Sequence, residues 1–240
     1  MDTSAQLRAL EHGQVRLLGQ FTRSSNFTFL VSCDLAGTSL RAVYKPAQGQ
    51  QPLWDFAPES LPKRETAAWL LCRQLGWELV PPTVYRAEGL PDGAGSLQLF
   101  VEHDPDSHYF TLTASERETL RPLVLFDLLA NNADRKGGHI LRGETGQLWA
   151  IDHALCFHAQ PKLRTVVWDF AGQPFFGPLL QALNELSTAL APGQPFPLEL
   201  GKYLSEAETD SLRERCARLL ASGQYPFPEE DRRAFPWPPV

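Results

Sequence analysis

Cysteine is scarce in this 240-residue chain, and Cys33, Cys72, Cys156 and Cys216 lie far apart with no CxxC pair among them. That spacing excludes a zinc ribbon and offers no disulfide framework, so the thiols are expected to be buried in a reducing, cytosolic setting. A basic block is also missing: Lys+Arg 22 against Asp+Glu 28 leaves a net charge of -6. Such a balance argues against nucleic acid or an anionic membrane as the main partner. No apolar run approaches the roughly 18 residues of a membrane-spanning helix, and the start, MDTSAQLRALEHGQV, has no basic region leading into an apolar one. A soluble, cytoplasmic protein with a small or protein partner is the expectation. His103, His108, His153 and His158 show no HExxH or other ligand spacing, which leaves them structural or solvated roles. Internal repeats and low-complexity linkers are absent too.

What the chain has is a hydrophobic fraction of 43%, enough for one large domain or two small ones. VRLLGQF, FTFLVSC and SLRAVYK are rich in branched and aromatic residues and are separated by turn residues, the pattern of an antiparallel meander. Pro46, Pro52, Pro58 and Pro62 then stiffen a connector and exclude a continuous helix there. From Lys63 a helix is predicted, with Ala67, Leu70, Leu71 and Leu75 on one face and Gly76 as its stop. VPPTVYRA and SLQLFVEHD read as two further strands. The second half is mostly helical: Ser115 and Glu118 suggest a capping box, Pro122 a kink or restart before LVLFDLLA, and LWAI a short buried strand. GPLLQALNELSTALA and SEAETDSLRERCARLLASG follow as helices, the latter capped by Ser205 and Glu208. From Tyr225 the proline-rich tail should be irregular. The expected class is α+β, a β-rich first half with one helix and a mostly helical second half with one hairpin-like insertion.

The polar stretch NNADRKGGHIL, residues 131–141, follows directly on an apolar helix. Asparagine and glycine suit a solvated loop, but the spacing also suits catalysis. Kinase catalytic loops place an aspartate five residues before a metal-binding asparagine; here Asp134 is followed at that distance by His139. A second carboxylate, Asp152, comes after LWAI, where a strand-end acid of the metal site belongs. Lys45 ends the third strand and Glu65 opens the next helix, and a strand lysine held by a helix glutamate is how kinases position nucleotide phosphates. Each residue alone has a plainer reading: a solvated lysine, an acid complementing the helix dipole, a turn aspartate.

In combination, DRKGGHIL and LWAIDHALCF resemble the phosphatidylinositol 3- and 4-kinases, whose loop reads D-R-H-x-x-N and whose metal segment reads I-D-F-G. VYKP, PLWDF, VPPTV, NNADRKGGH, IDHALCFH and KLRTVVWDFAG are similar to a bacterial phosphatidylinositol 3/4-kinase-like family, to about Gly172. The resemblance implies a two-lobed protein-kinase-like fold, with an amino-terminal lobe over residues 1 to about 102, a carboxy-terminal lobe to about 225, and a tail over 226–240. It implies ATP with a divalent metal, Mg²⁺ or Mn²⁺, and a phosphate acceptor that the sequence does not name. Lys45 would hold the phosphates, Glu65 would steady it, Asp134 would orient the attacking hydroxyl, and His139 with Asp152 would bind the metal. Leu97 to Val101 would run into the hinge against adenine. Three departures stand out: G-x-G-x-x-G is absent, leaving Ser24, Ser25 and Asn26 of the first turn either to meet phosphate or merely to make the turn; IDHALC lacks the D-F-G glycine; and histidine replaces the metal-binding asparagine. A catalytically impaired pseudokinase acting as a nucleotide-binding or interaction module therefore remains an alternative, as does a metal-dependent hydrolase using Asp134, His139, Asp152 and His153. Lys162 and Arg164 could face substrate, while Asp169 is expected to fix local backbone.

Overall fold

The computed structural model describes residues 2–21, 26–51, 53–229 and 233–240. A five-stranded antiparallel sheet, in the order β1-β2-β3-β5-β4, forms the first part. β1 (Gln14–Gln20), β2 (Phe29–Leu35) and β3 (Thr38–Pro46) are the expected meander. β3 pairs next with β5 (Gly95–Leu99), and β5 with β4 (Thr83–Arg86), so Lys45 lies opposite Ser96. One helix more than expected sits here. α1 (Thr3–His12) packs on β2, β3 and β4, burying Ala9 and Leu10 in the sheet's core with Val31, Tyr44 and Leu97.

α2 (Leu61–Gln74) joins the two halves. Its first turn tolerates Pro62 because no intrahelical N–H is due there. Every residue from Arg64 to Cys72 is buried, so the single apolar face read from the sequence understates it: the helix is covered all round. Its apolar side chains join the large core of the helical half, which also holds Phe126, Phe170, Leu183 and Leu212.

In that half, α3 (Ala114–Glu118) and α4 (Arg121–Ala130) are separate helices, with Pro122 in the first turn of α4. The cap of α3 is Thr113 with Glu116, two residues earlier than expected from Ser115 and Glu118: the Thr113 side chain accepts from Glu116 N, and Glu116 accepts from Thr113 N. β6 (Ile140–Arg142) and β7 (Leu148–Ala150) form the short hairpin. α5 (Gly177–Ala189), an unexpected short α6 (Pro195–Leu200) and α7 (Glu206–Ser222) complete the fold, α7 with the Ser205–Glu208 box in place. No helix among the described residues is long and apolar enough to cross a membrane.

Candidate active site

Lys45 is brought by β3 to the second turn of α2 and to the residues after β7. Its Nζ lies 2.5 Å from Glu65 Oε1 and 2.9 Å from Asp152 Oδ1. Burial opposes the lysine's charge, but Asp152 and Glu65 outweigh it and raise its pKa. Glu65 uses its other oxygen to accept from His153 N at 2.9 Å. One carboxylate thus ties the sheet's lysine to the 152–153 segment. Asp152 keeps 42% of its side chain open to solvent and adopts a left-handed backbone, φ 62, which aspartate tolerates better than most residues. Burial would raise its pKa, yet Lys45 and His139 hold the carboxyl far below its usual range.

His139 Nε2 is 3.2 Å from Asp152 Oδ2, while its Nδ1 accepts from Lys136 N at 3.4 Å. The neutral ring is therefore protonated on Nε2 and donates to Asp152. Burial pushes its pKa down to about 4 against the pull of Asp152, so neutrality at pH 7 follows. Ligation of a metal through Nε2 would need the other tautomer and would give up the contact to Lys136 N. Among the described residues no three His, Cys, Asp or Glu side chains are grouped as a metal cluster. Asp152 nevertheless fits a cation that takes its remaining ligands from phosphate and water, and a nitrogen from His139 would favour Mn²⁺ over Mg²⁺ there.

Asp134 is partly open, 3.4 Å from Lys136 Nζ. Its pKa is raised by burial, with Lys136 opposing and Asp152 reinforcing. Both asparagines of the 131–141 stretch have structural partners, Asn132 at Asp134 itself and Asn131 in the 158–162 segment. Asn132, fully buried, accepts from Asp134 N at 3.0 Å and donates to Asp127 Oδ1 at 3.0 Å. Asn131 ends α4 in the left-handed conformation, φ 52, donates to His158 O and Gln160 O, and accepts from Lys162 N. The glycines have a reason as well: a Cβ on Gly137 would come within 3.0 Å of the Phe110 ring, and Gly137 N donates to Pro239 O at 2.8 Å.

Sequence reasoning passed over the residue that binds all this together. Arg135, 0% exposed, donates to both oxygens of Asp127 at 2.8 and 3.0 Å, to Ile151 O at 2.8 Å, and meets His153 Nε2 at 2.8 Å. It fastens α4, the loop and the segment carrying Asp152 to one another. The available signal was Asp127, an acid inside LVLFDLLA, which needs a buried cation. His153 is likewise fully buried in this network and not turned toward a metal with Asp134 and Asp152, which removes one ligand from the hydrolase reading.

Other candidates separate. Ser24 and Ser25 lie outside the described residues. Asn26 Oδ1 accepts from Gln51 N at 2.8 Å, so it ties the first turn to the connector. Lys162 pairs with Asp55 at 2.7 Å beneath the exposed Trp54. Asp169 accepts from Tyr109 Oη at 2.5 Å, as a structural role requires. β5 ends at Leu99, and the Val101 carbonyl meets His103 Nδ1 at 2.8 Å.

A sheet-borne lysine and a helix glutamate thus meet an aspartate past a strand end, with a second aspartate on the nearby loop. The sequence model for phosphatidylinositol 3- and 4-kinases matches residues 56–192, and this chain belongs to that family. It is 39% identical to the Mycobacterium tuberculosis protein Rv2133c across 95% of this chain and 93% of that one. Rice phosphatidylinositol 4-kinase gamma 4 is 27% identical across 89% of this chain, which spans 42% of the rice protein. The structure of the Helicobacter pylori proinflammatory kinase CtkA superposes with a TM-score of 0.51 at 12% identity, covering 90% of this chain and 94% of that one. That likeness establishes the two-lobed kinase-like fold.

Proposed function

We propose that the protein transfers the terminal phosphoryl group of ATP to a hydroxyl acceptor. The observation that carries this reading is the position of Lys45, shared between Glu65 at 2.5 Å and Asp152 at 2.9 Å. A surface lysine has no need of two buried or half-buried acids, whereas a phosphate-binding lysine must be held in place. Lys45 would bind the phosphates and Glu65 would fix its direction. Asp134, its pKa raised by burial, would accept the proton of the incoming hydroxyl. Asp152 and His139 would hold the divalent metal, which when bound neutralises charge on the phosphate oxygens. The acceptor stays at the level of a hydroxyl on a protein, a small metabolite or a lipid headgroup: the plant relatives are phosphatidylinositol kinases by name, but this chain matches under half of the rice protein.

Melting curves with MgATP or MnATP test the reading. A ligand specific for the folded state adds about 2.7 kcal/mol at a hundredfold excess over its Kd, so a clear upward shift in Tm is expected. No shift at millimolar nucleotide would remove both the kinase and the nucleotide-binding module. Phosphate transfer to any acceptor, itself included, separates those two.

A further inference from the structure

A cavity of about 540 Å³ opens in the helical half, and none of its lining residues belongs to the Lys45, Glu65, His139 and Asp152 cluster. Its walls are the end of α4, residues of the 161–168 segment, the last turns of α7, and Gln224 to Glu229 with Arg233 and Ala234. Among the described lining residues, Lys162, Arg164, Arg215, Arg218 and Arg233 stand with one acid, Glu229. Lys162 is engaged by Asp55, and Arg218 is largely exposed beside Glu214. Arg215 is different. Only 8% exposed, it donates from Nε to Leu129 O at 2.7 Å, yet its Nη2 is buried without a hydrogen-bond partner among the described residues. Burial, then the neighbouring Arg218, push its pKa down to about 10, which leaves it charged at neutral pH. A dehydrated guanidinium with an unmet donor is unfavourable until an anion reaches it. Leu128, Leu163, Trp168, Leu219 and Phe227 supply apolar wall, beside the polar Asn131, Ser222 and Gln224.

We propose that this cavity binds an organic phosphate, its phosphate anchored by Arg215 with Arg164 and Arg233, and its apolar body against Trp168 and Phe227. Guanidinium forks match phosphate oxygens in pairs, and with Lys162 engaged by Asp55 and Arg218 beside Glu214, Arg164, Arg215 and Arg233 are the cations left to meet it. The site goes beyond the transfer reaction and stands whether or not that reading holds.

The test is calorimetric titration of the whole chain with 1-naphthyl phosphate, 1-naphthol and inorganic phosphate. Naphthyl phosphate should bind at least about tenfold more tightly than either fragment, and Arg215→Met should weaken it by about tenfold or more. Should Arg215→Met fail to fold, Arg218→Glu, at an exposed position on the same wall, should weaken binding severalfold without lowering Tm. Saturating MgATP should leave the titration unchanged. Sedimentation with phosphatidylcholine vesicles, with and without phosphatidic acid, tells whether a lipid can supply the phosphate; capture that needs both phosphatidic acid and Arg215 supports the site with a lipid source, and absence of capture supports a soluble one when naphthyl phosphate binds. No binding at millimolar naphthyl phosphate, equal binding by wild type and both variants, or displacement by MgATP would overturn the proposal.

Discussion

Two charge clusters meet at residues 151–153, and they are built in opposite ways. Around Arg135 and Asp127 every charge is sealed: the side chains are 0% and 2% exposed, and the guanidinium donates in four directions. Around Lys45 and Asp152 the side chains are 19% and 42% exposed, and one lysine sits between two acids. A closed cluster spends its hydrogen bonds on holding elements together. An open one keeps lone pairs and charge available to something that comes and goes. Burial alone would have singled out Arg135; what sets the Lys45 cluster apart is charge left beside solvent.

The sharpest way to break the contrast is to cut the closed cluster. Arg135→Met strands Asp127 as a buried unpaired charge and should destabilise the fold by about 3–5 kcal/mol. Adding Asp127→Leu should recover part of that loss, because replacing both partners removes the stranded charge. Denaturant unfolding measures both; an Arg135→Met chain as stable as wild type would end the scaffolding role.

In the open cluster, substitutions should affect ligands more than folding. Asp134→Asn should cut phosphate transfer by about 10²–10⁴-fold while nucleotide-induced stabilisation persists. Asp152→Asn should lower that stabilisation itself. Parallel transfer assays and melting curves distinguish the two, and identical behaviour would show that the division of roles is wrong.

Much of this was legible in the chain. Lys45, Glu65, Asp134, His139 and Asp152 were picked out by spacing, and four of them, Lys45, Glu65, Asp152 and His139, form one connected set in the structure. The meander and the Ser205 cap were visible because alternation and capping are local. α1 was missed because only Ala9 and Leu10 of its ten residues are buried, too few for a clear stripe. Arg135 was missed because its partners come from α4, β7's end and His153, a convergence that no spacing rule expresses. The burial of Lys162 against Asp55 is equally non-local.

Smaller effects refine the comparison. His139→Asn replaces a borderline nitrogen ligand by an oxygen and should move metal preference from Mn²⁺ toward Mg²⁺ by severalfold, read as the ratio of transfer rates in the two metals. An unchanged ratio would confine His139 to holding Asp152 and the Lys136 turn. The sealed pair of Arg64 and Glu208 should respond to acid instead. Burial opposes the Glu208 charge, but Ser205 N, Arg64 and the Ser205 hydroxyl outweigh it and hold its pKa below the ordinary value. Its contribution is thus fully present above the unfolded-state pKa and fades as pH falls through the lower folded-state value. Glu208→Gln should flatten the acid side of the stability curve, measured as Tm from pH 6 to pH 3.

α2 carries a mechanical consequence. Arg64 in its first turn donates to Cys156 O at 2.6 Å and pairs with Glu208 of α7, while Ala67 through Cys72 pack in the core of the helical half. The sheet and α1 have a separate core of their own. α2 also packs on β4 and β5, so the Lys45 to Glu65 contact lies where one helix bridges the sheet and the helical half. A substitution that loosens α2 on either side therefore acts on both halves at once.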